Sequence, residues 1–70
     1  MTLGERLTQL RDQYSVNRTQ FAEFTYISAS YVSQIERGEK LPNISIVQRF
    51  ADLFSMTMSE FLEGVEVDRG

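Results

Sequence analysis

The chain has 70 residues, 41% of them hydrophobic, and contains neither cysteine nor histidine. This composition excludes disulfides and metal sites built on thiolate or imidazole, and it removes the usual general base of enzymes at neutral pH. The net charge of −3 argues, taken alone, against nucleic acid as a partner, because domains that bind nucleic acids are usually basic.

The charges are unevenly distributed along the chain. Acidic residues collect near the C-terminal end at Glu60, Glu63, Glu66 and Asp68. Cations lie further toward the N-terminus at Arg11, Arg18, Arg37 and Lys40. Because the local field rather than the total charge decides where a polyanion binds, the net charge does not exclude DNA.

The N-terminal residues lack a basic region followed by an apolar run, so the sequence predicts no signal peptide. The wholly apolar stretches are far too short to span a membrane. We therefore expect a single domain over residues 1–70, located in the cytoplasm, without cofactor or metal.

Apolar residues recur at helical spacing in five blocks. In the first block they form a stripe of Leu3, Leu7, Leu10 and Tyr14. This stripe predicts an amphipathic helix of about 12 residues. A capping box of Asn17 and Gln20 begins a short second helix, in which Phe21 and Ala22 face inward.

The third helix is predicted between Ser28, its N-cap candidate, and Gly38, which ends it. Asn43 caps a fourth helix. Its inward-facing stripe is predicted to contain Ile44, Val47, Phe50, Ala51 and Phe54. A second capping box, Thr57 with Glu60, begins a fifth helix, in which Phe61 and Leu62 are expected to enter the core.

Residues 18–37 form a helix-turn-helix candidate, because two short helices are joined there by a tight turn. The outward face of the second of these helices carries only small or amide side chains, at Ala29, Ser30, Ser33 and Gln34. Such a slim face fits a DNA major groove, where Gln can make paired hydrogen bonds to adenine. The alternative is a polar face that serves only solvation.

Five segments match one family pattern without a gap. They read LGERL at 3–7, FAE at 21–23, ISASYVSQIERG at 27–38, LPNI at 41–44 and MSEFL at 58–62. On these segments the chain resembles the Cro/repressor-like (XRE-type) helix-turn-helix family from residue 3 to residue 62. The resemblance implies an all-α, compact, five-helix lambda-repressor-like fold whose third helix reads the major groove. It also implies a transcriptional regulator, a repressor or an autoregulatory control protein, that binds palindromic operator DNA as a homodimer.

The resemblance assigns roles to individual residues. The positions that match base-facing residues of the family are Ala29, Ser30, Ser33 and Gln34. The positions that match phosphate-contacting residues are Asn17, Arg18, Ser28, Arg37 and Lys40. Arg11 and Glu36 match an ion pair that bridges the first helix to the end of the third. The alternative for that pair is two separate surface charges of little energetic weight.

Two residues in the turn depart from the family pattern. Tyr26 stands where the family usually has Gly, because the backbone there tends to need φ > 0. A tyrosine in that conformation costs on the order of 1 kcal/mol, so the turn is either strained or of another geometry. Phe24 occupies a position that is commonly polar. It either forms an exposed apolar patch with Tyr26, which would suit a protein partner, or folds back onto the first helix.

The resemblance also places the homodimer interface at the C-terminal helix. The apolar residues there exceed what one short helix buries, and the expected interface consists of Met56, Met58, Phe61 and Val65. The alternative is that these residues only close the core of a small domain. A competing function is a protein-interaction module on the same scaffold, such as an antitoxin or a regulatory subunit. An enzyme is disfavoured, since the sequence offers no pair of nucleophile and base.

Overall fold

The structure is a computed structural model that describes residues 1–66. The last four residues of the predicted domain, including Asp68, lie outside the described residues. The described part contains five helices and no strand: α1 (Leu3–Gln13), α2 (Arg18–Thr25), α3 (Ala29–Glu36), α4 (Ile44–Leu53) and α5 (Met58–Phe61). The predicted all-α, five-helix architecture is confirmed. Within residues 1–66, every helix is too short or too polar to traverse a bilayer.

Each helix begins at a polar N-cap residue whose side chain accepts a hydrogen bond from the backbone N–H three residues later. These residues are Thr2, Asn17, Ser28, Asn43 and Thr57. Such bonds satisfy donors that an α-helix cannot satisfy internally. The sequence predicts all of these caps except Thr2. Thr2 forms a capping box with Glu5, and hydrogen bonds from the backbone N–H and the side chain of Thr2 hold the pKa of Glu5 below its ordinary value.

Left-handed residues follow the helices, at Ser15, Tyr26, Gly38, Ser55 and Gly64. After α1, α2 and α4, the residue that follows the left-handed one donates its backbone N–H to the carbonyl oxygen five residues before it, with N···O distances of 2.9, 3.1 and 2.9 Å. The donors are Val16, Ile27 and Met56, which all pack against the core. The left-handed residue therefore turns the chain so that an apolar side chain covers the helix end.

Of the two alternatives for the turn at Tyr26, the structure shows the left-handed one, with φ 62° and ψ 38°. Its side chain is 85% exposed and gains little from packing. We therefore expect Tyr26→Gly to raise the free energy of unfolding by about 0.5–1 kcal/mol, since relief of left-handed strain exceeds the entropy that Gly adds to the unfolded chain. Urea denaturation measures this change. Tyr26→Ala is the control, because it keeps the Cβ and should show no such gain; a destabilised Tyr26→Gly would refute the strain.

One hydrophobic core lies between the helices. It consists of Leu7, Leu10, Phe21, Ala22, Val32, Ile35, Val47, Phe50, Ala51, Phe54 and Phe61. The ring of Phe50 lies at its centre, with ring centroids 4.9 Å from Phe21 and 6.1 Å from Phe61. The prediction that Ile44 belongs to the inward stripe is wrong, because this side chain is 73% exposed. Ile44 is the first residue of α4, and helical side chains point toward the N-terminus, past the packed part of the helix.

The backbones of α1 and α3 approach each other closely at Gly4. A Cβ at this position would lie 2.4 Å from the carbonyl oxygen of Ile35 and 2.6 Å from that of Glu36. Position 4 therefore needs glycine because any side chain would clash with the backbone of α3, and not because of its own backbone conformation, which is helical. This contact fixes the C-terminal end of α3 against α1.

Candidate nucleic-acid interface

The second and third helices form the predicted helix-turn-helix. Val32 and Ile35 turn the inner side of α3 into the core. The predicted base-facing residues occupy an arc on the other side, where two are exposed and two half-buried: Ala29, Ser30, Ser33 and Gln34. Because helical residues are spaced about 100° apart, this arc spans about 140°. It carries hydroxyl and amide groups but no formal charge.

The starts of α2 and α3 present backbone donors. Asn17 Oδ1 accepts the N–H of Gln20 at 2.8 Å, and Ser28 Oγ accepts the N–H of Tyr31 at 3.0 Å. These two predicted phosphate contacts thus use their side-chain oxygens as helix caps. What remains for an anion is the set of first-turn backbone N–H groups, which have no partner inside a helix and lie at the positive end of the helix dipole.

The expected ion pair between Arg11 and Glu36 is present, and a second arginine joins it. Arg11 donates from Nε to Glu36 Oε2 at 2.6 Å and from Nη2 to Oε1 at 3.2 Å. Arg18 donates from Nε to the same Oε1 at 2.7 Å. The Glu36 side chain is only 4% exposed, and a buried charge of this kind needs partners. The guanidinium groups of Arg11 and Arg18 supply them. We call this group the Arg11–Glu36–Arg18 cluster.

The cluster connects three helices. Arg11 lies in the last turn of α1, Arg18 begins α2, and Glu36 ends α3. Arg11 Nη1 also donates to the carbonyl oxygen of Val16 at 2.9 Å, which fixes the loop between α1 and α2. The participation of Arg18 could not be expected from the family resemblance, which assigns this position to phosphate. The cluster has one net positive charge, and Arg18 is its exposed member.

Beyond the end of α3, the cations lie in a more open environment. Arg37 Nε donates to Glu39 Oε2 at 2.7 Å, and both side chains are exposed. This hydrogen bond and the charge of Arg37 hold the pKa of Glu39 below its usual value. Lys40 is exposed beside them. Glu39 was not singled out in the sequence, although it places a carboxylate next to two predicted phosphate contacts.

Arg6 is a further residue that the sequence analysis missed. Its Nε donates to the carbonyl oxygen of Phe61 at 2.8 Å, and its Nη2 donates to that of Glu60 at 2.9 Å. These bonds supply side-chain donors to two carbonyl groups at the end of α5, where an α-helix leaves carbonyls without a full set of backbone partners. Arg6 therefore ties α5 to α1. No sequence signal identifies this role, because its partners are backbone atoms far along the chain.

Phe24 and Tyr26 form an exposed apolar patch, which we call the Phe24–Tyr26 patch. Phe24 is 63% exposed, so it does not fold back onto α1. The two rings border an open cavity of about 320 Å³, whose other lining residues are Arg49, Asp52 and Leu53. The patch thus lies between the end of α2 and the outer side of α4.

The residues expected at a dimer interface occupy different environments. Phe61 is fully buried, and its assignment to an interface is wrong, because its ring packs on Phe50 inside the core. Met56 and Met58 are half-buried and pack against the core. Leu62, expected in the core, is exposed instead, since α5 ends before it and its φ of −88° and ψ of 6° depart from the helix.

This arrangement defines a class of protein. It is a five-helix domain in which a tight turn joins the short second helix to a third helix, and the third helix presents an uncharged polar face. A family model described as "Helix-turn-helix domain" matches residues 2–62, and the chain belongs to this family. The resemblance to XRE-type regulators is confirmed. The family is a class of DNA-binding regulators of transcription, not of enzymes.

Several curated proteins are similar to the chain. The HTH-type transcriptional regulator DdrOP3 of Deinococcus deserti is 36% identical over 66 residues, which cover 94% of this chain and 51% of that protein. The HTH-type transcriptional activator BcrR of Enterococcus faecalis is 34% identical over 67 residues, covering 96% and 33%. The HTH-type regulator YazB of Bacillus subtilis is 33% identical over 57 residues, covering 81% and 83%. The chain thus spans about half of the first relative and a third of the second.

Proposed function

We propose that this domain binds double-stranded operator DNA through α3 in the major groove and thereby regulates transcription in the cytoplasm, as a repressor or an autoregulatory control protein. The observation that carries the proposal is the uncharged, hydrogen-bonding outer face of α3, with cationic groups near its C-terminal end. Arg18, which is bonded to Glu36, lies toward that end together with Arg37 and Lys40, whereas the start of α3 presents backbone N–H groups. A neutral face reads base edges, while flanking cations contact the backbone phosphates.

The acidic total charge limits how this domain uses phosphate contacts. With 7 basic and 10 acidic residues, it has few cations to neutralise phosphates. Sequence-independent affinity comes mainly from such contacts and falls with added salt. We therefore expect weak non-specific binding at physiological salt, so that specificity depends on the face of α3.

We expect Gln34→Ala and Ser33→Ala to change base preference without unfolding the domain. Both side chains are half-buried on the outer arc of α3, and neither belongs to the core. Loss of one base contact should cost about 1–3 kcal/mol at particular base pairs and leave the others unaffected. Competition binding against a set of single-base operator variants measures this. The same affinity profile in the parent and both variants would rule out the base-reading role.

We further propose that the domain acts as a homodimer on a palindromic operator. One short helix with four neutral outward residues reads only a few base pairs, too few to single out one site among about 10⁶ competitors. Two copies related by a two-fold axis would place two such helices about 34 Å apart, one turn of DNA. Leu62 and Val65, just beyond α5, are the apolar residues of this region that support an interface, with half-buried Met58 and Met56 beside them.

The double variant Leu62→Glu, Val65→Glu is expected to be a folded monomer with much weaker operator binding. Leu62 is exposed and Val65 half-buried outside the core, so charge there should disturb an interface more than the fold. Sedimentation equilibrium with and without operator DNA measures the assembly. Phe24→Glu, an exposed apolar residue at the Phe24–Tyr26 patch, is the matched control and should remain dimeric. An unaltered protein that stays monomeric on its operator would overturn the dimer.

A second candidate function is favoured by the Phe24–Tyr26 patch. Two aromatic side chains that are largely exposed beside a cavity are typical of a surface for another protein. On this proposal the domain binds a protein partner there, as an antitoxin or a regulatory subunit does. Pull-down of a specific partner that is lost in Phe24→Ser but retained in Gln34→Ala would support it. Equal recovery with both variants would contradict it.

A further inference from the structure

Two arginines of the proposed interface donate from Nε to a glutamate at the same distance, 2.7 Å, but in different surroundings. Arg18 is bound by Glu36, which is buried and also held by two hydrogen bonds from Arg11. Arg37 is bound by Glu39, which is 52% exposed. Glu36 is therefore held in place by Arg11, whereas Glu39 and its partner Arg37 are both exposed side chains.

We propose that Glu36 is a positioning residue that holds the Arg18 guanidinium ready for a DNA phosphate. This inference rests on the proposed function, because it concerns how the same interface binds DNA. Since the bond to Glu36 uses Nε, the edge formed by the two terminal nitrogens of Arg18 is left for a bidentate contact with phosphate oxygens. The Arg18 side chain is 54% exposed, so solvent and a phosphate have access to the guanidinium group.

The benefit of this arrangement is preorganisation. A free arginine loses rotamer freedom when it is immobilised on a ligand, and this loss weakens binding. The Arg11–Glu36–Arg18 cluster orders Arg18 before DNA arrives. Glu39 acts in the opposite sense on Arg37: its exposed carboxylate competes with phosphate for the same guanidinium and repels the phosphate as a like charge.

Positioning and simple charge make opposite predictions for one variant. Replacing either glutamate with glutamine removes one negative charge, so charge alone would strengthen DNA binding in both cases. If Glu36 positions Arg18, Glu36→Gln must weaken binding, because the bond that orients the guanidinium becomes a weaker neutral one. Glu39→Gln has no such role to lose and should strengthen binding.

The experiment is fluorescence anisotropy with a labelled random-sequence 20-base-pair duplex over a series of salt concentrations that begins at low salt. Because phosphate contacts are independent of sequence, no operator is needed. We expect Glu39→Gln to bind about 2–5 times more tightly, and Glu36→Gln about 3–10 times more weakly with a salt slope smaller by about one. Arg18→Ala should weaken binding at least as much as Glu36→Gln, and adding Glu36→Gln to Arg18→Ala should weaken binding no further.

Loss of folding in Glu36→Gln is checked by circular dichroism at the binding temperature. If that variant does not fold, Arg18→Lys decides, because it keeps the charge and replaces an exposed side chain but lacks the planar edge. We expect it to lose more affinity than Arg37→Lys. Equal or tighter binding by Glu36→Gln, or an Arg18→Lys variant that binds like the parent, would overturn the positioning role. A parent protein that binds no duplex even at low salt would instead refute the proposed function.

Discussion

Gly4→Ala is expected to destabilise the domain by about 2–3 kcal/mol, although alanine is the better helix former. The added Cβ would lie 2.4 Å and 2.6 Å from two carbonyl oxygens at the end of α3. Those atoms are backbone and cannot rotate away, so α1 and α3 must separate. For a 70-residue domain with a total stability of about 4–10 kcal/mol, such a loss is a large fraction.

Chemical denaturation measures this effect, and Gly38→Ala provides the comparison. Gly38 has a φ of +80° but open space where a Cβ would stand, so alanine there meets backbone strain without a clash. We expect the Gly38 variant to lose about 1 kcal/mol. A Gly4→Ala protein more stable than the parent would show that the two helices separate at little cost. Because Glu36 belongs to the contact, Gly4→Ala should also loosen the Arg11–Glu36–Arg18 cluster.

Arg11→Ala is expected to have the largest effect, a loss of about 3–5 kcal/mol. The substitution removes both Arg11 bonds to the buried Glu36 carboxylate and leaves only the exposed Arg18 as its partner. It also removes the donor to the carbonyl oxygen of Val16. The incompletely compensated charge of Glu36, rather than the lost attraction to Arg11, is the main cost, because a carboxylate is poorly solvated in that position.

A rescue variant separates these two contributions. Arg11→Met together with Glu36→Met removes the buried charge as well as its partner, and apolar replacement of a buried ion pair is often close to neutral. We expect the double variant to regain most of the stability lost in Arg11→Ala. Arg37→Ala, which breaks the exposed pair with Glu39, should change stability little. A mild effect of Arg11→Ala, similar to that of Arg37→Ala, would contradict the structural weight of the cluster.

Local signals account for the parts of the fold that the sequence predicts. Asn17 with Gln20, and Thr57 with Glu60, are capping boxes whose partners lie within one turn, so helix starts are visible in the sequence. Because the family usually has Gly at position 26, the resemblance makes a positive φ one of the two alternatives there, which a tyrosine would otherwise not suggest. The α-helical periodicity correctly places Leu7 and Phe50 in the core.

The contacts that the sequence does not predict are long-range or depend on where an element ends. Whether Ile44 is buried depends on where α4 begins relative to its neighbours, and whether Leu62 is buried depends on where α5 ends. The helical periodicity of the sequence does not indicate where a helix begins or ends relative to its neighbours. Arg18 follows a helix cap, and nothing nearby indicates that it also contacts Glu36, eighteen positions later. Gly4 is conspicuous only once the carbonyl groups of α3 are placed beside it.

The most direct test of the proposed function is selection of duplexes by the purified protein from a pool of random sequence. We predict enrichment of a symmetric motif with two half-sites about 10 base pairs apart, centre to centre. The motif should change at particular positions when the selection is repeated with Gln34→Ala. Recovery of an unenriched pool by a folded protein, at salt concentrations low enough for DNA binding, would contradict sequence-specific operator recognition by α3.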